Sequence, residues 1–127
     1  MERSSERVHT GVYAVKATLN PEQPAVQVEA RSNDIAITPG VKYRLSGWVY
    51  SDNSKARFGL RQTNQAGASL KYDYTPVSTS KQEWQYFELV LTPRADATIL
   101  QVYLRLEPNV EAPAWFDDLK LEIIPAN

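Results

Sequence analysis

Pro113-Ala-Trp-Phe-Asp-Asp-Leu-Lys-Leu-Glu-Ile-Ile124 is an apolar, strand-forming run that carries two adjacent carboxylates. Its apolar residues recur with a period near two, which predicts a β-strand over Ala114–Ile124. Successive side chains of a strand point to opposite faces, so Trp115, Asp117, Leu119 and Leu121 are expected on one face and Phe116, Asp118 and Lys120 on the other. One carboxylate, Asp117, is then directed inward. A buried carboxylate is tolerated where a cation or a set of donors compensates it, and an oxygen-ligated Ca²⁺ is the natural candidate. The alternative is an aspartate bonded to backbone amides, or to Lys or Arg, at the edge of a sandwich.

The same period of two runs through almost the whole chain, and no stretch of ten residues or more reads as a helix. Strands are predicted over residues 12–19, 25–37 with a break near Ser32-Asn33-Asp34, 42–51, 55–62, 69–74, 84–92, 97–106 and 114–124. Turn-forming residues separate them. In Pro39-Gly40, proline fixes φ and glycine accepts positive φ, as a type II turn requires. Eight short strands at this spacing predict an all-β, two-sheet antiparallel sandwich, a jelly roll of the galactose-binding-like kind. One domain is expected over residues 1–127, and a 43% apolar content suffices for one core.

With 14 basic and 15 acidic residues the net charge is −1, so no global field favours nucleic acid or an anionic membrane. Cysteine is absent, which excludes disulfides, thiol catalysis and the usual structural zinc sites. No apolar run approaches the roughly 20 residues of a membrane span. The polar start Met-Glu-Arg-Ser-Ser-Glu-Arg is not a signal peptide. With a single histidine, His9, a Ser-His-Asp triad has one available base, and no serine lies in a nucleophile-elbow pattern. Asp117 and Asp118 face opposite ways and cannot form a glycosidase pair, whereas Glu29 with Glu88 or Asp73 remains open.

Alternation also separates the faces of each strand. Tyr43, Leu45, Gly47 and Val49 read as core, leaving Arg44, Ser46, Trp48 and Tyr50 outside. Leu100, Val102, Leu104 and Leu106 likewise leave Gln101, Tyr103 and Arg105 outside, while Arg57 and Arg61 lie opposite Phe58 and Leu60. Gln27, Glu29 and Arg31 lie opposite Val26, Val28 and Ala30. If these strands share a sheet, its outer face interleaves aromatics with Arg, Gln and Glu. Such a face suits a sugar, whose C–H surface stacks on a flat ring while its hydroxyls need fixed donors and acceptors. Trp48, Tyr50 and Tyr103 are the expected platform, and Arg44, Arg61, Gln101, Arg105 and Glu29 the expected rim. Arg44, Arg57, Arg61 and Arg105 also suit an acidic or uronate-bearing chain. A merely solvated sandwich face carries a similar mixture.

In this order, four segments resemble the CenC-like carbohydrate-binding modules, the group that gathers families four, nine and twenty-two. They are His9-Thr10-Gly11 leading into Val12–Ala17, Ile35-Ala-Ile-Thr-Pro-Gly-Val-Lys-Tyr-Arg-Leu-Ser-Gly-Trp-Val-Tyr50, Glu83-Trp84-Gln85-Tyr86-Phe87 leading to Leu91-Thr92-Pro93, and Trp115-Phe-Asp-Asp-Leu-Lys-Leu121. The resemblance implies a jelly roll with a structural Ca²⁺ and a concave face that binds polysaccharide, xylan or β-glucan above all. It also implies a secreted, extracellular setting beside a linked glycoside hydrolase or similar enzyme, with no catalysis by the module itself. By position Asp117 matches the family's calcium-ligating aspartate, while Trp48 and Gln101, Tyr103 and Arg105 match its cleft strands. The family's opening strand, with an asparagine-proline-glycine-phenylalanine-glutamate-like motif, is not found. The calcium site and one sheet edge are therefore expected to be incomplete. The alternative function is a structural or protein-interaction sandwich that binds no glycan.

Overall fold

A computed structural model describes residues 1–79, 81–110 and 112–125. Its strands are β1 Glu2–Ser4, β2 Ala14–Ala17, β3 Val28–Arg31, β4 Ile35–Ala36, β5 Lys42–Ser51, β6 Ala56–Thr63, β7 Ser69–Tyr74, β8 Glu83–Leu91, β9 Ile99–Leu106 and β10 Ala114–Ile124. They form the antiparallel sandwich that the alternation predicts. Sheet A has the order β1-β2-β10-β5-β8; sheet B has the order β3-β9-β6-β7, with β4 also on β9. Predicted and observed strands coincide except at their ends and at β1, which is too short and polar to show a period. Gly40 takes a φ of 82°, as the expected turn demands.

Between the sheets lie Leu45 and Val49 of β5, Phe58 and Leu60 of β6, Leu100 and Leu106 of β9 and Phe116 of β10, all fully buried. Each such side chain contributes about 1.5–3 kcal/mol by leaving water. These are the inward halves of the alternating patterns, so every strand has its expected face toward the core except one.

The exception is β10. Its register against β5 pairs Phe116 with Val49 and Asp117 with Trp48, then resumes with Lys120 on Ser46 and Leu121 on Leu45. One extra residue is accommodated in a β-bulge, where Asp118 adopts a φ of 53°. The bulge reverses the parity of the strand. Phe116 before it and Leu119 and Leu121 after it all pack on the core, while Asp117 sits beside Trp48 on the outer side. The expected inward carboxylate is therefore not there.

Candidate functional site

The outer faces of the two sheets look away from each other, and the predicted sugar-binding residues are divided between them. Arg44, Trp48 and Tyr50 belong to β5 in sheet A, whereas Glu29, Arg61, Gln101, Tyr103 and Arg105 belong to β3, β6 and β9 in sheet B. A single face carrying all eight does not exist. Alternation shows which side of a strand faces out, but sheet membership depends on pairing between distant segments.

On sheet A the aromatics are occupied by the protein's own chain. The ring of His9 stacks on Trp48 at 4.0 Å between centroids and 19° between planes, and Tyr86 meets Trp48 edge-on at 5.3 Å. Tyr50 is only 8% exposed, wedged against Trp84 and Trp115, with the Arg7 guanidinium 3.9 Å above its ring. Arg44 is paired with Glu122 at 2.9 Å, a contact that holds the Glu122 carboxyl below the usual carboxylate range. The segment Arg7–Thr10 thus straps the outer face of sheet A. Trp48 thus has the His9 ring stacked on it and Tyr86 at its edge. Trp48→Ala is expected to lower stability by about 2 kcal/mol, through lost ring burial and the lost stack, while glycan binding stays unchanged; thermal unfolding beside affinity electrophoresis checks both.

Asp117 and Asp118 anchor this strap. Asp117 Oδ2 accepts the backbone N–H of His9 (2.8 Å) and of Thr10 (3.2 Å), and its Oδ1 accepts the N–H of Asp118 (2.8 Å). Asp118 accepts the Thr10 hydroxyl at 2.6 Å and meets His9 Nδ1 at 2.7 Å; these two contacts, the first above all, hold its carboxyl below the ordinary range. A Ca²⁺ ion requires six to eight oxygen ligands, roughly, with lone pairs directed at it. Here N–H groups aim hydrogens at both Asp117 oxygens, and among the described residues no group of three or more His, Cys, Asp or Glu side chains converges. The donor set does not fit the ion, and the amide-bonded aspartate is the reading that the geometry supports.

Sheet B is different. Arg61 pairs across the ladders with both Gln101 and Tyr72, Gly59 with both Tyr103 and Tyr74, and Arg31 and Glu29 with Tyr103 and Arg105, which brings these residues onto one outer face. Tyr72 is 49% exposed and lies parallel to Tyr74, with centroids 6.4 Å apart and 1° between planes. The Tyr103 ring stands perpendicular to Tyr72 at 5.8 Å and is almost wholly buried, forming the floor. A side chain at position 59 would collide with the backbone carbonyl of Asp73 and with the Tyr74 ring, so the glycine is what lets Tyr74 lie across β6. Burial, with the Glu29 carboxylate adding to it, pushes the Tyr74 phenol up. Tyr72 and Tyr74, outside the expected platform of Trp48, Tyr50 and Tyr103, are thus central to this face.

The polar groups between the rings are fixed. Arg61 donates from Nη1 to Gln101 Oε1 at 3.1 Å, and Gln101, itself 8% exposed, donates onward to Asp34 Oδ1 at 2.7 Å. Arg105 lies 3.4 Å from Glu29 and 3.2 Å from Glu107, while Arg57 lies 2.9 Å from the same Glu107 oxygen. The two Nε contacts on Glu107 are ion pairs by distance without the alignment of hydrogen bonds. Two depressions open on this face. One, of about 440 Å³, is lined in part by Arg31, Asp34, Arg61 and Gln101; the other, of about 260 Å³, lies among Glu29, Ala30, Arg31 and Tyr103. Neither partner left open for Glu29 lies across them, since Glu88 is on sheet A and Asp73, paired with Leu60, takes the opposite side of β7 from Tyr72 and Tyr74.

A family model described as "Carbohydrate binding domain" (CBM 4 and 9) matches residues 1–111. No curated protein matches. Among solved structures, the enzymatically active domain of tailspike protein 4 of bacteriophage CBA120 superposes with a TM-score of 0.77 at 10% identity, over 96% of this chain and 17% of that one. A family 16 carbohydrate binding module gives 0.70 at 14% identity, over 94% and 83%. The CBM22-1 xylan-binding domain of Paenibacillus barcinonensis Xyn10C gives 0.64 at 13%, over 99% and 81%. At such identities the likeness is one of fold.

Proposed function

Because the chain belongs to the carbohydrate binding domain family that its residues 1–111 match, we propose that it is a non-catalytic module holding a polysaccharide against the outer face of sheet B. The observation that carries this reading is the convergence of Tyr72, Tyr74 and Tyr103 with fixed Arg61 and Gln101 donors and acceptors on an uncovered face. On sheet A, by contrast, Trp48 and Tyr50 are covered by the strap. A β-1,4-linked xylan or a β-glucan chain fits the reading: its sugar faces stack on Tyr72 and Tyr74 and its hydroxyls meet the polar groups between them. The xylan-binding neighbour supports the first of these. In this role the module acts outside the cell and keeps a covalently linked enzyme close to its substrate. A few stacks and hydrogen bonds on an open face give Kd values between about 1 mM and 1 μM.

Affinity electrophoresis through gels containing xylan, mixed-linkage β-glucan or cellulose derivatives tests the proposal. Retardation in at least one gel is expected, and Tyr72→Ala is expected to weaken it about tenfold, or ~1.4 kcal/mol, without changing the melting temperature. Passage of the protein unretarded through every glycan gel, acidic ones included, sinks the binding reading and favours a structural or interaction domain.

A further inference from the structure

Four arginines line the sheet B face, and their partners sort them into two kinds. Arg57 and Arg105 are neutralised in place by Glu107 and Glu29. Arg61 has no carboxylate partner among the described residues; its bonds run to Gln101 Oε1 and, from Nε, to the Ser69 hydroxyl at 3.3 Å. Arg31 is exposed and makes no ion pair with any described residue. These two uncompensated guanidiniums line the same depression of about 440 Å³.

We propose that this depression is the subsite for a carboxylate-bearing sugar, a uronic acid residue of the bound chain, held between Arg31 and Arg61. The inference rests on the glycan-binding reading above and names the part of the ligand that gives it selectivity. Arg31 on β3 and Arg61 on β6 flank β9 on either side, offset by one Tyr103-to-Gln101 step. They are therefore about 10 Å apart across the sheet and about 7 Å along it, within reach of one carboxylate for side chains of arginine length. Arg61 is oriented for this by the buried Gln101, whose amide is fixed in turn by Asp34. Asp34 is the one carboxylate among the described residues that line the depression, and with Arg31 and Arg61 these give it one net positive charge. A guanidinium fork binds a carboxylate bidentately and with charge, more strongly than it binds a neutral hydroxyl. The tyrosines next to it supply the stacking that any glycan needs; the arginines add a preference for acid.

The test compares each acidic glycan with its own carboxyl-reduced form, in which uronic acids become neutral hexoses on an unchanged backbone. Glucuronoxylan, pectin and alginate and their reduced forms are titrated calorimetrically at fixed salt, with neutral xylan and β-glucan alongside. At least one acidic glycan is expected to bind ten times or more tighter than its reduced form. The double variant Arg31→Gln, Arg61→Gln is expected to bring the acidic and reduced forms to equal affinity, with the reduced form also weakened by the lost Arg61 contacts, and unaltered thermal unfolding shows that the variant is folded. If acidic and reduced forms bind alike, or the double variant keeps the preference, the uronate subsite is wrong and the module reading stands. If neither acidic nor neutral glycans bind, both fall.

Discussion

Gly59→Ala is expected to destabilise the protein by about 3 kcal/mol, a large fraction of a domain's stability, and to remove glycan binding from whatever remains folded. Elsewhere in a strand the same exchange is favourable, because alanine restricts the unfolded chain and glycine in a strand interior costs about 0.5–1 kcal/mol. The sign reverses here because the new methyl meets the Asp73 carbonyl and approaches the Tyr74 ring to 2.7 Å. A backbone carbonyl cannot rotate aside like a side chain, so β7 must move off β6. That movement carries away Tyr72 and Tyr74 together. Urea unfolding with calorimetric binding measures both effects, and a more stable Gly59→Ala protein would show that the β6–β7 pairing is misplaced.

Asp117→Ala carries the second large effect, a loss of about 2–3 kcal/mol, because three backbone N–H groups lose a charged acceptor in a partly buried position. The strap over Trp48 and Tyr50 should loosen with it, seen as faster amide exchange at His9 and Thr10. Since the carboxylate is held by amides, a calcium chelator should leave the wild-type melting temperature unchanged. A fall of several degrees on chelation would overturn this assignment. Acid weakens the same strap from the neighbouring residue: Asp118 has a lowered folded pKa, so its contribution is present above the normal carboxylate range and is lost as pH falls through that lowered value.

Much of the fold was legible from alternation, because a half-buried strand cannot avoid writing its two faces into the chain. Strands β5, β7 and β10 could be bounded to the residue, and the inward sets Tyr43 to Val49 and Leu100 to Leu106 are the core. What alternation cannot express is which strands are neighbours. That is why Trp48 and Tyr103 read as one face if their strands share a sheet, although they look out from opposite sides of the sandwich. Their chemistry is alike, and only long-range pairing distinguishes them. Arg31, Arg61, Gln101 and Tyr103 could be assigned to an outer face; the role of Tyr72 and Tyr74 could not, since it depends on a missing side chain at Gly59 across the ladder. The strap was illegible for a different reason. Arg7–Thr10 has no period, and its position follows from side chains that His9 and Thr10 meet more than a hundred residues later.

A strand can be regarded as a wave of wavelength two residues, and the bulge at Asp117–Asp118 is a slip of half a wavelength. Without it, Trp115 and Leu119 would be in phase and one of them would be on the wrong side. With it, the first part of β10 sends Trp115 outward under the strap, while the second sends Leu119 and Leu121 into the core. The irregularity also leaves two acids side by side at the slip, free of the alternation that governs the rest of the strand, and that is where the amino-terminal segment is clasped.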